Sequence, residues 1–155
     1  MRKLIVMLVL LFPMMAVAQQ KSETVEVIML KLVERSAKSS DGSYTMPSKI
    51  DGMMYISNEY ILLSDGGKNQ RFKIVGASSE TSPERSIVSM STIIDGTDKM
   101  VIVEFRREGS NVDIYFIYGG GKSVHYKVDI HGSGNKTQNS GEKIRYNKTK
   151  KLSLI

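Results

Sequence analysis

With 155 residues, 41% of them hydrophobic and 25% charged, the chain has the size and composition of one globular domain that buries a core without covalent staples. It contains no cysteine, which excludes disulfides, thiolate metal sites, thiol nucleophiles and the lipid-anchoring cysteine of a bacterial lipoprotein. The formal net charge of +6 gathers at the C-terminal end, where Lys136, Lys143, Arg145, Lys148, Lys150 and Lys151 stand against Glu142 alone, so the body of the chain is not a basic domain.

Met1 to Ala18 reads as a secretory signal peptide. Arg2 and Lys3 supply the positive start, Leu4 to Phe12 an apolar run too short to span a bilayer, and Ala16-Val17-Ala18 the small-residue cleavage site. Cleavage after Ala18 is expected, leaving a mature chain from Gln19. An exported, cysteine-free domain fits the bacterial periplasm, cell surface or extracellular space. No second long apolar run follows, so the mature chain is expected not to span a membrane.

Thr24 to Glu34 carries apolar residues at both strand and helix spacing, and β-branched Thr24, Val25, Val27 and Ile28 favour a strand. Ser36 to Pro47 reads as a loop with a turn at Asp41-Gly42. Gly52 to Ser57 and Glu59 to Ser64 form a hairpin about Ser57-Asn58, and Asp65 to Asn69 turns the chain into the strand Gln70 to Gly76. A polar loop is expected over Ala77 to Arg85, followed by Ser86 to Ile94 and, past Asp95-Gly96-Thr97-Asp98, Lys99 to Arg107. Val112 to Tyr118 and Ser123 to Ile130 come next, joined by Gly119-Gly120-Gly121-Lys122, which lacks phosphate-loop spacing and reads as a hairpin turn. His131 to Gly141 is rich in Gly, Ser and Asn and reads as flexible, while Lys143 to Tyr146 and Leu152 to Ile155 regain strand character.

The expected fold is all-β: an antiparallel up-and-down meander of about eight strands closed as a barrel, with a two-sheet β-sandwich as the alternative. Short sequential hairpins favour the barrel, because a sandwich needs longer crossovers. The domain is expected over residues 19–130. Residues 131–155 form a basic, partly flexible tail able to add a last strand.

The export signal without a lipidation cysteine, the hairpin Met54-Tyr55-Ile56-Ser57-Asn58-Glu59-Tyr60-Ile61, and the run Val112-Asp113-Ile114-Tyr115-Phe116-Ile117-Tyr118 before a glycine turn resemble small secreted Bacteroidetes-type proteins with a lipocalin-like barrel. The resemblance spans most of residues 50–130 and implies a fold. The chain has no tryptophan and so no Gly-x-Trp motif of true lipocalins, and no ligand residue is carried over from them.

Candidate chemistry is sparse. His125, Asp129 and His131 share one strand parity, and the last two could approach a common metal, but they equally fit a wet strand face, and no metal ligands are assigned. Glu104 and Arg106 share a face as a minor ion pair. The seven tyrosines suit half-buried strands more than a stacking platform for bases or sugars. Met53, Met54, Met90 and Met100 read as strand residues that fill a core or line an adaptable cavity. With no evident pairing of nucleophile and base, an enzyme is not expected.

The expected function is that of a monomeric, non-enzymatic binding protein taking a small apolar ligand in the barrel mouth, with Phe72, Ile74, Val101, Val103, Phe105, Val124, Tyr126 and Val128 facing the interior. The alternative is an envelope-surface protein whose Lys143, Arg145, Lys148, Lys150 and Lys151 contact anionic lipid or polysaccharide. No cofactor and no specific nucleic-acid partner are assigned.

Overall fold

A computed structural model describes the backbone of residues 24–139 and the side chains of residues 27–131. The expected signal peptide and the lysine-rich segment beyond residue 139 lie outside the described residues.

Eight strands close into one antiparallel barrel in sequence order: β1 Thr24–Lys38, β2 Ser48–Ile56, β3 Tyr60–Asp65, β4 Lys68–Thr81, β5 Arg85–Ile94, β6 Met100–Glu108, β7 Asn111–Tyr118 and β8 Ser123–Asn139. The pairing of β1 with β8 completes the circle, so the barrel, not the sandwich, is the fold. Hairpins make every other connection. One of the two-residue turns is Gly66-Gly67 between paired Asp65 and Lys68, where φ of +58° and +77° gives the doubly positive turn that glycine takes without a Cβ clash.

Alternation decides which side chains fill the lumen. On β6 Val101, Val103 and Phe105 are buried and on β7 Val112, Ile114 and Phe116, while the residues between them are only part-buried. Phe72 from β4 meets Phe116 with ring centroids 5.0 Å apart, and Phe116 meets Tyr126 edge-on at 5.8 Å, so three aromatic rings pack across the centre. Thr92 is the buried polar residue among those described, and its hydroxyl donates to Val101 O at 2.8 Å, which removes the cost of burying it. The polarity runs apolar inside and charged outside. Among the described residues no helix is long and apolar enough to cross a membrane.

All eight residues expected inside belong to this core: Phe72, Val101, Val103, Phe105 and Tyr126 are buried, and Ile74, Val124 and Val128 pack against them half-buried. The methionines divide, with Met54 and Met90 buried and Met100 exposed.

Several boundaries differ from those expected, among them the start of β2, which lies at Ser48 rather than Gly52. β1 runs four residues past Glu34 to Lys38, so the loop expected from Ser36 begins later. The polar loop expected over Ala77 to Arg85 is strand as far as Thr81, because Ala77 to Thr81 pair with Met90 to Ser86 of β5. Those β4 side chains are exposed, so no burial pattern marks them in the sequence. β8 continues past Ile130 to Asn139, its second half pairing with Thr24 to Met29.

A bulge in β1 between Leu32 and Glu34 shapes the end of the barrel. Before it Ile28, Leu30 and Leu32 point inward; after it Arg35 stands opposite inward-facing Tyr126 and Ala37 opposite Val124. The extra residue flips the parity, sending Ser36 and Lys38 to the outer face.

Candidate functional site

The end of the barrel bearing the β1–β2 loop and the β7–β8 turn carries two adjoining crevices. The loop, residues 39–47, is folded back on β1 rather than free. Thr45 N donates to Ala37 O at 2.8 Å, Ala37 N donates to Thr45 Oγ1 at 2.8 Å, and Tyr44 bridges to Lys38. Its tip is organised by Asp41, whose Oδ1 accepts from the Ser39 and Ser43 hydroxyls and from Ser43 N at 2.9 Å. Those donors, the Ser39 hydroxyl foremost, hold the Asp41 carboxyl well below the usual carboxylate range. Tyr44 is thereby set over the rim, 73% exposed, with Lys38 Nζ 5.5 Å from its ring centre.

The first crevice, about 450 Å³, is the barrel mouth. Inward-facing Ala37, Val124 and Tyr118 form its floor, and Tyr44 and Thr45 of the loop form its wall. Deeper on the same side, Tyr126 donates its hydroxyl to Asp65 Oδ2 at 3.0 Å, and Arg35 Nε approaches that oxygen at 3.2 Å. Burial pushes the Tyr118 and Tyr126 phenols up, and the Asp65 charge adds to the effect on Tyr126. Both stay protonated and neutral under ordinary conditions.

The second crevice, about 490 Å³, lies on the outer face and is lined by Ser36, Lys38, Arg106, Tyr115, Lys122 and His125, among others. Strand register builds it. Glu104, Tyr115, His125 and Ser36 form one cross-strand row over β6, β7, β8 and β1, and Arg106, Asp113, Lys127 and Glu34 form the next. Contacts run along and between the rows. His125 Nε2 lies 2.7 Å from Asp113 Oδ1, its Nδ1 lies 3.4 Å from Ser36 Oγ, and its ring stacks on Tyr115 at 4.5 Å. The Arg106 guanidinium covers Tyr115 at 4.3 Å and donates to Glu104 Oε2 through Nε at 2.9 Å and Nη2 at 2.6 Å. Lys127 Nζ pairs with Glu34 Oε1 at 3.2 Å. Burial, followed by the charge of Asp113, raises the Tyr115 phenol.

Because the Asp113 carboxylate only accepts, neutral His125 carries its proton on Nε2 and presents the Nδ1 lone pair to the Ser36 hydroxyl. Serine, histidine and aspartate thus form one hydrogen-bonded chain. Acyl transfer at Ser36 also needs donors for a developing oxyanion, and the adjacent amide, Ala37 N–H, is already taken by Thr45 Oγ1. The chain fixes His125 and leaves the outward lone pairs of Ser36 to the crevice.

No protein-family model and no curated protein matches this chain.

Of the residues singled out in the sequence, Val124 lines the mouth, and the other interior candidates lie in or against the core. Glu104 and Arg106 do pair. Asp129 Oδ1 accepts from His131 N at 3.0 Å, and among the described residues no group of three His, Asp or Glu side chains is placed to hold a metal ion. Lys143, Arg145, Lys148, Lys150 and Lys151 lie outside the described residues. Sequence reasoning missed the link from Ser36 through His125 to Asp113. Its one sequence signal is the placement of Asp113 and Tyr115 opposite the strand that bears His125, legible only once the β7–β8 register is known.

Proposed function

We propose that this chain is an exported, non-enzymatic binding protein of lipocalin-like build that receives the apolar part of a small molecule in its barrel mouth. The observation that carries the reading is the crevice between Val124 and Tyr118 on the barrel side and Tyr44 on the loop side. A mostly apolar hollow at the end of a small barrel is a common place for a ligand. The leader of residues 1–18 supports export, and the packed aromatic centre supports a ligand seated at the mouth rather than in mid-lumen. Asp41, with its serine donors, supports a loop shaped before the ligand arrives, which lowers the ordering cost of binding.

Native mass spectrometry of the protein purified gently from envelope and culture fractions of its own host tests the reading. The expected result is a chain beginning at Gln19 with a reproducible added mass that is lost on organic extraction and absent from a Val124→Asp variant that remains folded under the conditions of the measurement. A bare chain in every fraction, or an added mass equally retained by Val124→Asp, overturns the mouth as the ligand site.

A further inference from the structure

We infer that the ligand is an amphiphile with a compact anionic head group, a carboxylate or a phosphate monoester, held on the rim by Lys38 and Lys122 while its apolar body occupies the mouth. This rests on the mouth being the binding site and adds the chemistry of the head group.

The two crevices are not independent hollows. Ala37, Lys38, Tyr44, Lys122 and Ser123 line both, so one molecule lying across the rim touches both without leaving the surface. Their chemistry differs. The mouth side offers Val124, Ala37 and the Tyr118 ring. The outer side offers three cations, Lys38, Arg106 and Lys122, and no carboxylate among its lining residues.

The nearby charges divide into those already matched and those that are not. Glu104 is held by Arg106, Asp113 by His125 and Glu34 by Lys127. Lys38 and Lys122 have no ion-pair partner among the described residues. They are also neighbours: Lys38 stands opposite Ser123 in the β1–β8 register, and Lys122 directly precedes Ser123. Both line the two crevices, and two ammonium groups reaching one hollow attract a shared anion more than either alone does, each with three donors for its oxygens. The outward lone pairs of Ser36 and the Ser123 hydroxyl supply further polar contacts for water or head-group hydroxyls.

Tyr44 joins the two halves. Its ring is the wall of the mouth, and Lys38 Nζ lies 5.5 Å from the ring centre, so a chain packed on the ring ends beside the ammonium. An alcohol of the same chain length would keep the apolar contact and lose the ionic one.

Isothermal titration calorimetry at low salt with octanoate, octyl phosphate and 1-octanol separates the two parts. The expected result is binding of all three, with at least one of the two anions tighter than 1-octanol by about fivefold or more, the gain from one ion pair in a water-like dielectric. The Lys38→Ala/Lys122→Ala double variant should bring that anion to the 1-octanol level and leave 1-octanol unchanged. Raised salt should do the same in the unaltered protein. Which anion binds more tightly distinguishes carboxylate from phosphate. Equal binding of all three probes, or an anion preference that survives the double variant, overturns the head-group assignment and leaves the mouth site standing. Anion binding unweakened by Val124→Asp, in a protein that binds no 1-octanol even when unaltered, removes the mouth and keeps the lysine pair. Failure of all three probes to bind overturns both.

Discussion

Tyr126 reaches from the core to the rim and donates its hydroxyl to Asp65 Oδ2 at 3.0 Å, tying β8 to β3 across the barrel end. Arg35 Nε lies 3.2 Å from the same oxygen, so three strands that are not all neighbours converge on one carboxylate. The bulge after Leu32 makes this possible, because without it Arg35 would face outward. Tyr126→Phe keeps the ring in its edge-on contact with Phe116 and removes only the hydroxyl. Asp65 retains Arg35, so the expected loss is about 1.5 kcal/mol, the lower end for a hydrogen bond to a charged group. A shifted urea midpoint at unchanged m-value would show it. An unshifted midpoint would mean that water replaces the phenol without loss.

The same contact predicts how stability responds to alkali. The Tyr126 phenol is raised first by burial and then by Asp65, so the folded state keeps a proton that the unfolded chain gives up near the ordinary tyrosine value of about 10. A group raised in this way contributes fully below its unfolded value, and the contribution is lost as pH climbs toward the folded one. Stability should therefore fall above about pH 10, by up to about 1.4 kcal/mol per pH unit for this one tyrosine. Tyr126→Phe should fall less steeply than the unaltered protein when urea midpoints at about pH 9 and pH 11 are compared. Tyr115 and Tyr118, raised in the same direction, keep some slope in the variant.

Phe116 occupies the centre of the lumen, touching Phe72 on one side and Tyr126 on the other, and it is fully buried. Phe116→Ala leaves a cavity that a closed barrel cannot collapse, since its strands are tied to one another all round. The expected cost is about 3–5 kcal/mol. Calorimetric or denaturant unfolding checks it.

Gly52 on β2 shows the opposite constraint. A Cβ there would lie 3.2 Å from Ser64 O, 3.2 Å from Ile50 Cδ1 and 3.3 Å from Leu32 Cβ. The isoleucine tip can turn aside, but a carbonyl of β3 and the Cβ of β1 are fixed by their ladders. Gly52→Ala should therefore destabilise the barrel by about 1–3 kcal/mol despite the higher strand propensity of alanine, as overpacking does. A gain in midpoint would show that β2 can shift outward at this point.

The contrast between these positions also explains what was legible in the sequence. Val112, Ile114 and Phe116 alternate with Asp113 and Tyr115, and Phe105 stands between Glu104 and Arg106, so the inner faces of these two strands can be read directly even though Ile102 between Val101 and Val103 is apolar. Ala77 to Thr81 could not be read, because their strand exists through backbone pairing with β5 while their side chains stay in water. The outer crevice was hidden for another reason. Ser36, Asp113 and His125 come from three strands, and their meeting depends on two registers and a bulge that moves Ser36 across the sheet. Periodicity reports which face a residue takes within its own strand and is silent on which residues become neighbours across strands.

His125 offers a direct check of that register. Its Nε2 is 2.7 Å from Asp113 Oδ1 and its Nδ1 is 3.4 Å from Ser36 Oγ, so neutral His125 should hold its proton on Nε2. Two-bond proton–nitrogen correlation spectra, recorded where the ring nitrogen shifts themselves show the neutral form, report the tautomer. Asp113→Ala removes the acceptor that fixes it, and the ring nitrogens should then move toward the average of two exchanging tautomers. Ser36→Ala should leave the Nε2 proton in place, because Asp113 still accepts it. The asymmetry distinguishes a ring oriented by its carboxylate from one merely stacked on Tyr115, since a stacked ring alone would respond to neither substitution.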